Sequence, residues 1–537
     1  MTTSALQTDL RPPEASSFRP FLAVCLAMAA VKLAIQITGN ILAQHAGYGI
    51  FRDEMYYLIC GRHLAFGYVD QPPMVALQAR LTDILFGYDH MASLRLFSGI
   101  AGAVKVFLTG ALVWAMGGSR KAAALAMLGV TVAGVYLGLD SYLSMNSFEP
   151  VFWLPCALAL IRIAQADSLP DPDRVVRNWW IVLGISAGLG LENKANEVFF
   201  LVAMLIALLL TPQRRILASR WFAVAVAIIV ALALPNLLWQ IHYHWPTLEW
   251  LIGISKSNKD VKLPPLQFLL GQVMMLIPWT IFLWLAGVIW LLASQKARPF
   301  RFLGVLYLVF LPMMMLLHAK DYYLAPIYPI FFAAGAAWRL PSGNRSPIRA
   351  ALASAYAVLL IIGFFLTLPF SMPVLSPQKF LAWCNTMHYH PTDSENHDAT
   401  ILPQFYADRF GWHEMVDKVG AIYNALPPAE RAVTGIYVDN YGEASALNLF
   451  GPKYGLPVAI SGHQTYWLWG PHGYTGQEMI LVSGDSLDDL KTFYASCQIA
   501  GKLDNPLSMP WEKKNILLCR GRKRTYEADW KDFKHYY

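Results

Sequence analysis

Apolar stretches long enough to cross a bilayer recur from Pro20 to Phe370, and no other feature restricts the fold of this chain as strongly. A helix crossing the hydrocarbon core needs about 20 mainly apolar residues. The first stretch, PFLAVCLAMAAVKLAIQITGNILA, has that length, so it is expected to span the membrane and not to be removed as a leader. Spans are predicted at 20–43, 91–116, 121–139, 147–165, 179–193, 197–210, 221–239, 266–293, 302–318, 322–340 and 348–370. That makes about eleven, with the short pair flanking LGLENKANEV also readable as one broken span. Backbone groups cannot stay unpaired in lipid, so the spans must form a helical bundle. Charged residues make up only 14% of the chain, where a soluble domain carries roughly 25%. The surplus of 42 basic over 35 acidic residues reads as cytoplasmic-loop charge and not as a nucleic-acid surface.

Loop charge orients the bundle. GGSRK, the stretch with Arg174 and Arg177, TPQRR with Arg220, SQKARPFR and PSGNRSPIR all fall on one side if the N-terminus is cytoplasmic. An odd number of spans then puts the C-terminal region outside. From Ser371 the chain turns polar and is punctuated by Pro and Gly. RAVTGIYVDN, LPVAISG, EMILVSG and NILLCRG read as strands, with WHEMVDKVGAIYNAL and DSLDDLKTFYA as amphipathic helices. The predicted division is therefore a transmembrane domain at 1–370, holding a first outer loop at 44–90, and an extracytoplasmic α/β domain at 371–537. That domain lacks a glycine-rich phosphate loop. Cys25, Cys60 and Cys156 read as inert hydrophobes, while Cys384, Cys497 and Cys519 leave room for one disulfide of open pairing. Cys384, His388, His390 and His397 fit no standard zinc spacing, so a surface loop is expected and no metal site.

The first outer loop, FRDEMYYLICGRHLAFGYVDQPP, carries more charge than its place requires. Asp53 and Glu54 are adjacent, so on a helix they point about 100° apart and only one faces a given cleft. Tyr57, Cys60 or Gly61 and Leu64 share a helical face, which predicts an amphipathic helix along the interface, followed by a second in MVALQARLTDILFG. The loop is too apolar for a merely solvated connector, and a carboxylate at the mouth of a bundle is a way to build a general base. Arg95, Glu149, Glu192, Lys194, Glu197, Lys320 and Asp321 lie at a similar predicted depth. Each alone reads as a helix-pairing or snorkelling residue. Together on one outer face they predict a site for an anionic, lipid-borne substrate, with Tyr57 and Tyr322 among its contacts. Tyr322, Tyr323, Tyr328 and Trp338 also fit an interfacial aromatic belt.

The acidic pair, the following tyrosines, GRHLAFGYVDQPP, Arg95 and SMNSFEP resemble the membrane glycosyltransferases of the protein O-mannosyltransferase and lipid A aminoarabinose transferase type. KDYYLAPIYPIFFAAGAAW and NYGEASALNLFGPKYGLPVAISGHQTYWLWGP resemble a bacterial branch of that family. The resemblance implies a GT-C bundle that transfers a sugar from a polyprenyl-phosphate carrier to a hydroxyl of a lipid, glycan or protein acceptor. It implies Asp53 as base, with Glu54 orienting the loop or the acceptor. Arg95, Lys194 and Lys320 would hold the carrier phosphate, and Glu149 would bind sugar hydroxyls or fix Arg95. Transfer is expected to be inverting, without metal or cofactor, at the outer side of a bacterial inner membrane. Gln71 departs from the pattern, since related sequences commonly have His there. A flippase for a lipid-linked sugar is the competing class, but it would usually show inverted repeats, and none is visible. A purely structural subunit would leave the loop acids without a purpose.

Overall fold

The structure is a computed structural model describing residues 17–168, 170–257, 261–341, 347–391, 393, 395–398 and 400–537. Arg345 of the predicted PSGNRSPIR loop and the first sixteen residues lie outside that set. The chain forms two compact units. One takes in the residues up to Ile41, Arg95–Leu237 and Lys262–Val374; the other is Leu42–Leu94, Leu238–Val261 and Leu375–Tyr537. The two units interleave along the chain. The first outer loop belongs with the C-terminal region because its Arg52–Arg62 helix packs on the Tyr441–Phe450 helix.

The first unit is a helical bundle. Among the described residues, six helices are long and apolar enough to cross a membrane: Arg19–His45, Leu96–Ala115, Met145–Ala164, Arg220–His242, Arg298–Leu316 and Pro347–Ser371. Two bent pairs, Glu197–Leu209 with Pro212–Ala218 and Pro265–Met275 with Pro278–Ala293, raise the number to as many as eight if each pair is one span. The chain is a multi-pass membrane protein. Several predicted spans are interrupted, for local reasons. The stretch at 121–139 breaks at Ala133, whose ψ of 125° leaves the helical region. The stretch at 322–340 opens as a 3-10 turn, Asp321–Ile327, before the Tyr328–Arg339 helix. The stretch at 266–293 bends by 91° before Pro278, which has no N–H to continue the ladder. Around LGLENKANEV the chain forms two helices, Pro172–Asn193 and Glu197–Leu209.

Small residues set the closest helix approach. A Cβ on Gly287 would lie 2.0 Å from the Phe331 carbonyl oxygen, and one on Gly335 would lie 2.0 Å from that of Leu283. The Ile281–Ala293 and Tyr328–Arg339 helices thus meet backbone to backbone, the packing that lipid-embedded helices favour.

The second unit is built on a five-stranded sheet in the order β2-β1-β3-β5-β4. Its strands are β1 (Thr434–Val438), β2 (Ala459–Ile460), β3 (Glu478–Ser483), β4 (Tyr494–Lys502) and β5 (Asn515–Arg522). β1 is parallel to both β2 and β3, whereas β5 runs antiparallel to β3 and to β4. The four predicted strands and the Trp412–Ala425 helix are present. β4 is not among the predicted elements: DSLDDLKTFYA shortens to a Leu487–Leu490 turn of helix, and the chain then extends along β5. Ile460, Met479, Leu481, Tyr494 and Leu517 form the core of one sheet face. Cys497 and Cys519 are register partners on β4 and β5 and form the disulfide, leaving Cys384 buried and free. His397 pairs with Asp393 at 2.8 Å, and no three metal-ligating side chains converge among the described residues.

Candidate active site

Asp53 and Glu54 open the Arg52–Arg62 helix, where carboxylates favour the positive end of the helix dipole. Their 100° separation divides their tasks. Glu54 is fully buried, and its Oε2 accepts the Phe51 N–H at 2.9 Å, capping the first turn of its own helix. That contact ties Glu54 to the start of its own helix. Asp53 keeps 29% of its side chain exposed. The helix around them is enclosed from Met55 to Gly61, so it does not lie half in lipid as predicted. The following helix, Met74–Phe86, does have such a face, with Leu77, Leu81, Ile84 and Leu85 exposed.

The Tyr441 hydroxyl donates to Asp53 Oδ1 at 2.6 Å, and Arg52 Nε lies 3.6 Å from the same oxygen. Tyr441 opens the helix after β1, fixed by its Asn440 cap, whose Oδ1 accepts the N–H groups of Gly442 and Glu443 at 2.8 and 3.0 Å. Glu443 is buried and pairs with Lys514 at 2.7 Å; burial pushes its carboxyl well above the usual range, and Lys514 opposes this. The Arg52 guanidinium lies over the Tyr441 ring at 5.4 Å and reaches Asp408 Oδ2 at 3.6 Å. Burial raises the Asp408 carboxyl to about 7, although Arg52 acts the other way.

A second acid stands behind this group. The Tyr56 hydroxyl donates its single proton to Asp70 Oδ1 at 2.9 Å, so Thr465 Oγ1, at 2.6 Å, donates to Tyr56. Thr465 in turn accepts the Val69 N–H at 3.1 Å, and the Tyr56 and Tyr441 rings lie 4.9 Å apart. Tyr57 is buried. Gln71 is fully buried, with its amide 3.7 Å from Cys60 Sγ.

The other unit holds the predicted cations Arg95, Lys194 and Lys320. Lys194, in the break between two helices, reaches Asn146 Oδ1 at 2.7 Å and Glu149 Oε2 at 3.1 Å. Asn196 donates to Glu149 Oε1 at 3.0 Å. Glu149 is thus paired with Lys194 and Asn196 and does not fix Arg95. The Lys194 ammonium lies 4.3 Å from the Tyr323 ring centroid and 5.9 Å from that of Tyr322. Lys320 is half-buried at the head of the turn carrying both tyrosines. Arg95 is buried between two helices and donates to Asn40 Oδ1 at 3.1 Å. Sequence reading missed Arg52, Tyr441, Asp408 and Thr465, none of which has a local signature. It also missed a buried trio in which Asp140 meets Lys32 at 3.0 Å and Lys105 at 2.9 Å. Lone lysines inside two apolar stretches were the available signal for that trio.

Residues 70–239 match the protein family described as dolichyl-phosphate-mannose-protein mannosyltransferase. Over 210 residues the chain is 28% identical to lipid A galacturonosyltransferase RgtD of Rhizobium johnstonii, a match covering 37% of this chain and 40% of that protein. The chain thus spans well under half of the curated relative it matches. In three dimensions it is similar to ArnT from Cupriavidus metallidurans bound to undecaprenyl phosphate. That similarity has a TM-score of 0.57 at 13% identity, over 94% of this chain and 98% of ArnT. The archaeal oligosaccharyltransferase AglB from Archaeoglobus fulgidus, in complex with an inhibitory peptide and a dolichol-phosphate, is also similar. Its TM-score is 0.51 at 12% identity, over 87% of this chain and 70% of AglB. The chain has the GT-C fold. Asp70, Arg95, Glu149 and Lys194 fall inside the family-matched segment, whereas Asp53 and the sheet lie outside it.

Proposed function

We propose that this GT-C protein transfers a sugar from a polyprenyl-phosphate carrier to an acceptor hydroxyl. The observation that carries the reading is the Asp53 carboxylate: part-exposed, held on one oxygen by Tyr441 and bearing no contact on the other among the described residues. The acceptor hydroxyl gives its proton to Asp53 Oδ2 as its oxygen bonds to the sugar's anomeric carbon. The bond from that carbon to the phosphate breaks, and the carrier leaves as the polyprenyl monophosphate. Attack opposite the departing phosphate inverts the anomeric centre. Lys194, Arg95 and Lys320 are the cations assigned to the phosphate, where charge develops as the bond breaks. Glu149 holds Lys194 in place, and the Tyr322 ring beside Lys194 is assigned to the donor.

RgtD is described as acting on lipid A, and the ArnT and AglB structures hold polyprenyl-type phosphates. These descriptions support a lipid-linked donor. The further assignments are a bacterial inner membrane, a cytoplasmic N-terminus, and an outside position for the Asp53 loop and the sheet. The Cys497–Cys519 disulfide supports that side, because disulfides persist in oxidising compartments.

The test is transfer of label from a polyprenyl-phosphate sugar by purified protein in liposomes. Asp53→Asn is expected to lower turnover by about 10²–10⁴-fold while the protein keeps its melting temperature. Wild-type turnover by folded Asp53→Asn protein overturns the assignment of the base. Movement of intact lipid-linked sugar across the liposome without transfer overturns the reaction.

A further inference from the structure

We propose that the C-terminal α/β region supplies part of the catalytic apparatus: Tyr441, with Arg52, fixes the Asp53 carboxylate by Oδ1 and so presents Oδ2 alone as the basic atom. The proposal rests on the reading of Asp53 as the base. Both ordering contacts fall on one oxygen, Tyr441 at 2.6 Å and Arg52 at 3.6 Å. A carboxylate on a single torsion otherwise turns freely, and a base that must meet one proton gains from losing that freedom.

The ordering groups are themselves held. Tyr441 is buried, its ring packed at a tilt against Tyr56 at 4.9 Å and His463 at 5.1 Å. Its backbone is the first residue of a helix anchored by the Asn440 cap and the Glu443–Lys514 pair. Gly442 makes room for Arg52, since a Cβ there would lie 2.6 Å from Arg52 Cγ. The strand order adds a second reason. β1 has β2 on one side and β3 on the other, both parallel to it, so the chain reverses its winding there. The crevice beyond the carboxyl ends of such strands is where open α/β sheets present functional groups. Asp439, Asn440 and Tyr441 leave β1 at that edge, and the group presented is a phenol aimed at the loop carboxylate.

Tyr441 is thus a positioning residue, and its contribution should appear in turnover and not in donor binding. Tyr441→Phe keeps the ring and removes the hydroxyl. It is expected to lower kcat by about 10–100-fold with donor KM within twofold and the melting temperature retained. In the Asp53→Asn background the same change should cost nothing further, because the group it orients is gone. Replacing Tyr441 by fluorinated tyrosines, which keep both ring and hydroxyl, should restore activity lost in Tyr441→Phe and keeps the test open if that variant folds poorly. An inactive Asp53→Asn protein beside a Tyr441→Phe protein of wild-type kcat overturns this inference and leaves the base intact. A purely structural Tyr441 would instead lower the melting temperature and add its loss to that of Asp53→Asn, which also overturns it.

Discussion

Arg52 stands between two carboxylates of different character. Asp53 is part-exposed and in contact with Tyr441, whereas Asp408 is buried, with Glu395, Asp53 and Glu512 adding unfavourable charge and Arg52 alone opposing them. With its carboxyl raised from 3.8 to about 7, Asp408 keeps a proton in the folded chain that the unfolded chain has already released. The folded state therefore binds more protons between about pH 4 and 7, so this residue's contribution to stability falls as pH rises through that window. The slope is at most about 1.4 kcal/mol per pH unit. Thermal melts in detergent between pH 5 and 8 should show it, and Asp408→Asn should flatten the decline. An identical decline in both proteins removes Asp408 as its source.

Between elements, the closest approach is made where side chains are missing. Gly287 and Gly335 let two helices of the bundle touch through their backbones. A single methyl at Gly335 must push the Leu283 carbonyl away, so Gly335→Ala is expected to cost about 1–3 kcal/mol and lower the melting temperature. An unchanged melting temperature would contradict contact of this kind. The glycines were visible in WLAGVIW and FFAAGAAW, but which helix each one faces was not, because small residues line many apolar helices without marking a partner. β4 failed for a related reason. TFYASCQIAG carries no clean alternation of polar and apolar residues, since much of this edge strand is exposed, and its pairing with β5 supplies the order instead.

For the whole molecule the decisive question is orientation. Cysteine replacing Asp488, 86% exposed beyond β3, should react in spheroplasts with a membrane-impermeant thiol reagent, in a background cleared of the other free cysteines. Cysteine replacing the exposed Arg298 should react only after lysis. The reverse pattern would place the acids in the cytoplasm and remove the proposed donor with them. Apolar length by itself determined that this chain spans a membrane as a bundle of helices, because lipid leaves an unpaired backbone no alternative. Adjacent acids at the start of a helix likewise marked Asp53 as a candidate, and local alternation announced four of the five strands. Tertiary structure decided which of the two acids is open, because Glu54 turns inward to cap its own helix. It decided that Glu149 serves Lys194, and that a tyrosine 388 residues downstream holds the candidate base. Hydrogen bonds between distant segments leave no periodicity along the chain, and so they become legible only once the sheet has brought Tyr441 to the loop.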